Sequence, residues 1–60
     1  MNNTKTYRGV VFHFDPIHPQ LYTRWTTTWG DAYIHAERLC KKKYGNNGSI
    51  KVIDKQGKAC

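Results

Sequence analysis

Acidic residues are scarce in this chain. Four Asp and Glu stand against ten Lys and Arg, giving a formal charge of +6 at pH 7 and a sequence pI near 9.6. A negatively charged partner is therefore attracted before any contact forms. Each acid has an expected structural use: Asp15 in a turn, Asp31 at a helix start, Glu37 four residues before Lys41, and Asp54 at a strand end. No carboxylate pair is left over for acid–base chemistry. Cysteine is equally sparse, and Cys40 with Cys60 are too few for a disulfide framework, so both are read as reduced. Together with His13, His18 and His35 they show none of the recurring zinc spacings, and His35 and Cys40, five apart on a helix, lack the geometry of a base and its nucleophile. The expectation is a non-enzyme with no metal and no cofactor. No apolar run approaches the roughly 18 to 20 residues of a membrane span, and Met1-Asn2-Asn3-Thr4-Lys5 lacks a signal-peptide core. A soluble, cytoplasmic protein without a membrane partner is predicted.

What remains is a chain of 60 residues, 38% hydrophobic and 13% aromatic, enough for a small core and one domain over 1–60. The ordered part is expected over about residues 5–55, with a polar tail at 56–60. A chain of this size buries only about 60% of its unfolded surface, which excludes a deep catalytic cleft in a monomer.

Tyr7-Arg8-Gly9-Val10-Val11-Phe12-His13-Phe14 is dense in β-branched and aromatic residues and reads as a strand with Val10, Phe12 and Phe14 on the core face. That alternation places Arg8 on the core face too, unless Gly9 marks a bulge that resets it. Asp15-Pro16-Ile17-His18-Pro19-Gln20 is a loop, since each proline lacks an N–H and biases its predecessor to extended backbone.

Leu21–Trp29, with four threonines among two tryptophans, predicts a long second strand. Leu21, Thr23, Trp25, Thr27 and Trp29 are then expected on the core face and Tyr22, Arg24, Thr26 and Thr28 on the other. A register slipped by one residue would instead expose both tryptophans. Asp31 is the expected N-cap of a helix of about 13 residues, whose stripe Ala32, Ala36, Leu39, Cys40 and Tyr44 faces the sheet. Its small alanines are expected to pack against the large tryptophans. Lys41-Lys42-Lys43 suit the negative end of the helix dipole, and Gly45 suits a left-handed cap. Asn46-Asn47-Gly48 is turn chemistry, and Ser49–Asp54 is a third strand with Ile50 and Val52 inward and Lys51 and Ile53 outward. The fold class is α+β: a single small ββαβ domain, a three-stranded antiparallel sheet with one helix packed on one face.

One helix leaves one sheet face uncovered. On this reading that face carries Tyr22, Arg24, Lys51 and Ile53, joined by Arg8 or by Tyr7, Val11 and His13, a basic and aromatic surface suited to docking a protein or stacking bases. Plain solvation of an exposed sheet is the competing reading, and for Lys41, Lys42 and Lys43 so is the dipole role.

The Tyr-led strand, the Thr-rich strand, Asp31-Ala32-x-x-x-Ala36-x-x-Leu39 running into Lys43-Tyr44-Gly45, and Ile50-x-Val52 together resemble very small proteins of tailed bacteriophages over residues 7–54. Some of those, an inhibitor of bacterial RNA polymerase and certain anti-CRISPR proteins among them, share a ββαβ plan and bind a host nucleic-acid machine. The resemblance implies a lambda-like phage accessory protein acting in the bacterial cytoplasm on a host protein with an acidic surface. Tyr7-Arg8-Gly9-Val10 is also similar to the opening of AP2-like DNA-binding domains, which implies groove contacts by Arg8, Arg24 and Trp25, although here two strands rather than three precede the helix. Partner-binding candidates are thus Tyr22, Arg24, Lys41, Lys42, Lys43, Lys51 and Ile53, for a protein first and nucleic acid as the alternative.

Overall fold

The structure, a computed structural model, describes residues 6–59. Cys60 and the residues before Thr6 lie outside the described residues. Strands β1 (Arg8–His13), β2 (Leu21–Tyr22) and β3 (Gly48–Ile53) form one sheet in the order β2-β1-β3, with both pairs antiparallel. Helix α1 (Trp29–Lys43) covers one face, and a single 3-10 turn, Gly45–Asn47, leads from it into β3. This is the α+β architecture expected, with β1 at the centre.

The faces of β1 are the reverse of those expected. Gly9, Val11 and His13 turn toward α1, while Arg8, Val10 and Phe12 lie on the open face, and Phe14 falls beyond the strand, 69% exposed. Glycine decides the orientation. A Cβ on Gly9 would collide with Cβ of Ala36 and sit 2.8 Å from the Ala32 carbonyl oxygen, so only Gly9 lets the helix approach this closely. The alanines therefore pack against a glycine, not against tryptophans. Val11, Ala36 and Cys40 form the buried cluster, with Leu21, Leu39, Tyr44 and Ile50 packed around it. Ile50 and Val52 face inward and Lys51 and Ile53 outward, as their alternation requires.

The second strand is far shorter than its composition suggests, and a side chain ends it. Thr23 Oγ1 accepts from the Gly9 N–H at 2.8 Å and donates to the Arg24 carbonyl, substituting for backbone partners in the ladder. The chain rejoins β1 at Thr26, which bridges Tyr7, whereas continued register from Val10↔Tyr22 would put Trp25 there. One extra residue has been inserted opposite Arg8, which makes Arg24-Trp25 a bulge. The bulge is on the chain facing β1, not at Gly9, and it reverses the alternation so that Trp25 leaves the helix side.

Trp29 is not in a strand at all: it opens α1, 44% exposed, with its ring stacked 5.2 Å from that of Tyr33. The N-cap is Thr28 rather than Asp31. Thr28 Oγ1 accepts from the Asp31 N–H, and the Asp31 carboxylate sits in the first turn where it complements the dipole. Lys41, Lys42 and Lys43 occupy the last turn, and Gly45, at φ 59°, takes the left-handed conformation after the Tyr44 cap. Past β3, Asp54 Oδ1 accepts from the N–H groups of Gln56 and Lys58, folding the polar segment back so that Ala59 bridges Ile53.

Candidate interaction surface on the open sheet face

The open face is built around Val10. It is only 2% exposed although no helix covers it, because the side chains beside it are long. Tyr22 and Lys51 lie directly opposite it on the flanking strands, and Arg8 and Phe12 precede and follow it on the same side of β1. Val10 and Val11 are thus buried on opposite faces of one strand, a pattern with no alternation to read.

Arg8 organises this surface. Its Nε and Nη2 donate to the Thr23 carbonyl oxygen at 3.0 and 2.9 Å, the oxygen displaced from regular pairing by the bulge. Held there, the guanidinium carbon lies 5.0 Å from the Tyr22 ring centroid and 4.8 Å from that of Trp25, a cation–π contact to each. A second such pair lies along the face, where Lys51 Nζ is 5.1 Å from the Phe12 centroid. Ile53, opposite Arg8 on β3, adds an apolar border. The surface is an array of rings and cations over the Val10 side chain, with Tyr22 51% exposed at its edge.

Of the residues singled out in the sequence, Tyr22, Lys51 and Ile53 share this face. Arg24 is exposed within the adjoining bulge. Lys41, Lys42 and Lys43 end the helix on the opposite layer and do not join the others in one surface. Val11 and His13 are turned away from the open face. Arg8, Phe12 and Trp25 are the members that alternation alone misplaces, and Gly9, a glycine inside a strand pattern, is the signal in the sequence that points to a close backbone approach there.

A smaller ring cluster lies on the helix side. His13 and His18 have centroids 4.0 Å apart and both meet Tyr44 edge-on, at 4.8 and 5.7 Å, while the Tyr44 hydroxyl donates to the Pro19 carbonyl. The cluster fastens the Pro16–Pro19 loop to the end of the helix. Among the described residues, no three His, Cys, Asp or Glu side chains gather as a metal site would require.

Comparison with family models, curated protein sequences and solved structures finds no match to this chain.

Proposed function

We propose that this protein is a non-enzymatic docking module whose open sheet face binds the acidic surface of a partner protein and alters that partner's function. The observation that carries the reading is Arg8 fixed between Tyr22 and Trp25 by two hydrogen bonds to the Thr23 carbonyl. Tyr, Trp and Arg are the residue types that dominate binding energy at protein interfaces, and here they are ordered before the partner arrives, which lowers the entropic cost of association. Their rings already carry cations on their faces, an arrangement better suited to carboxylates and peptide edges than to stacked bases. The net charge of +6 favours an acidic partner chiefly through the association rate. In the setting implied by the resemblance to phage accessory proteins, that partner is a host protein of the nucleic-acid machinery, met in the bacterial cytoplasm.

The test is capture from nuclease-treated bacterial lysate with the wild-type chain, with Tyr22→Ala and with Lys41, Lys42 and Lys43 all changed to Ala. A discrete acidic protein retained by the wild type and the helix variant but lost with Tyr22→Ala is the expected result. Retention seen in a parallel untreated lysate but absent from the nuclease-treated one, or retention that depends on the helix lysines instead, overturns it in favour of a phosphate-binding role.

A further inference from the structure

Backbone direction in the sheet can be followed from β1 outward. Gly9 exchanges hydrogen bonds with Thr23 on the β2 side, its N–H donating to Oγ1 and its carbonyl accepting from N–H. By alternation the N–H and C=O groups of Arg8, Val10 and Phe12 face β3, and those of their partners Ile53, Lys51 and Ser49 face back. The backbone groups of Gly48, Ile50 and Val52 therefore point to the outer edge of the sheet. Among the described residues, the folded-back segment meets that edge at its far end, where Asp54 N–H donates to the Lys58 carbonyl and Ala59 bridges Ile53. Gly48 and Ile50 lie beyond it.

Beside this edge, between β3 and α1, runs an open groove of about 430 Å³ of mixed lining, in which Tyr33, Cys40 and Ile50 give the apolar part and Glu37, Lys41, Asn46 and Ser49 the polar border. On the other side of the sheet the neighbouring side chain is Lys51, exposed on the open face. A strand added here would send alternate side chains into the groove and over Lys51.

We propose that the outer edge of β3 binds an extended peptide by strand addition, and that the peptide alternates aliphatic with acidic residues. The aliphatic side chains enter the groove between Tyr33, Cys40 and Ile50. The acidic ones lie beside Lys51. Charge disfavours the obvious competitor, a second copy of this chain, because two molecules each carrying +6 repel and an antiparallel β3–β3 pairing would bring two Lys51 side chains to the same face. This edge shares Lys51 with the open face but not Arg8, Tyr22 or Trp25, so Tyr22→Ala separates failure of one surface from failure of the other.

The test uses blocked nine-residue peptides in which valine or leucine alternates with glutamate, and a control series with lysine in place of glutamate, titrated into isotope-labelled protein and followed by amide NMR. Shifts centred on Gly48, Ile50 and Val52 are expected, with the glutamate series binding more tightly than the lysine series. A synthetic chain N-methylated at the outward Ile50 amide should fold as the wild type and bind about tenfold or more weakly, since a ladder hydrogen bond is removed and a methyl group stands in the strand's path. Lys51→Glu should weaken the glutamate series about threefold and strengthen the lysine series. Tyr22→Ala should change neither. Shifts confined to Tyr22 and Trp25, no response at millimolar peptide, undiminished binding by the N-methylated chain, or an edge-paired dimer in the free protein would each overturn the proposal.

Discussion

Arg8 and Thr23 are joined by two hydrogen bonds from one guanidinium to one carbonyl oxygen, at 3.0 and 2.9 Å, across the point where a bulge interrupts pairing with β1. The contact closes a gap in the ladder and at the same time places a cation between two rings. Lysine cannot do both, because its ammonium is a point charge without a planar fork. Arg8→Lys and Arg8→Ala should therefore destabilise the fold by a similar amount, about 1 to 3 kcal/mol, measured by urea denaturation. Full rescue by lysine would show that the positive charge matters and the forked geometry does not.

Gly9→Ala should be more severe. The new methyl group would collide with Ala36 and with the Ala32 carbonyl, which belongs to helix backbone and has no rotamer to adopt. Overpacking costs typically about 1 to 3 kcal/mol and more where backbone must shift. Against a total stability of about 5 kcal/mol for so small a chain, the variant should lose the dispersion of its amide NMR spectrum. A well-dispersed spectrum would mean that the helix can retreat from the sheet with little loss.

The tryptophans show why half of this fold is legible in the sequence and half is not. The existence of the central strand, though not its faces, follows from its β-branched and aromatic composition, the Ala32, Ala36 and Cys40 stripe and the inward Ile50 and Val52 from periodicity, and the Gly45 cap from glycine's freedom at positive φ. The segment from Thr23 to Trp29 does not, because Thr23 Oγ1 takes a bond that a backbone carbonyl would otherwise accept, and hydroxyls that do this look like ordinary strand threonines. One inserted residue then reverses every later face. Hydrophobicity reinforces the misreading, since it sends tryptophan to the core, whereas Trp25 is half-buried against a guanidinium and Trp29 sits in the first turn of a helix. The candidate surface inherits the same blind spot: Tyr22, Lys51 and Ile53 are found by alternation, but Arg8, Phe12 and Trp25 depend on contacts between residues distant in sequence.

From this placement, neither Trp25→Ala nor Trp29→Ala should cost the 3 to 5 kcal/mol expected of a core aromatic. Trp25→Ala removes one of two rings from Arg8 and should cost about 1 to 2 kcal/mol, and Trp29→Ala less than about 1 kcal/mol. Both variants should remain folded by far-UV circular dichroism at room temperature. Unfolding of the Trp25 variant would return that ring to the core and revoke the bulge.

The sharpest division between the two layers concerns charge and binding. Lys41, Lys42 and Lys43 carry almost a third of the chain's ten basic residues but end a helix on the far side of the sheet from Tyr22 and Lys51. If the open face docks a protein, changing the three lysines to alanine should slow association modestly and leave dissociation unchanged, because distant charges act on encounter rather than on the formed contact. Tyr22→Ala should do the opposite, raising the dissociation rate by an amount equivalent to about 2 kcal/mol or more, at a stability cost no greater than the about 1 to 2 kcal/mol of the other ring on Arg8, which leaves the chain folded. Surface plasmon resonance with the captured partner at two salt concentrations separates these effects. A dissociation rate that follows the lysines and ignores Tyr22 would move the binding site from the sheet to the end of the helix.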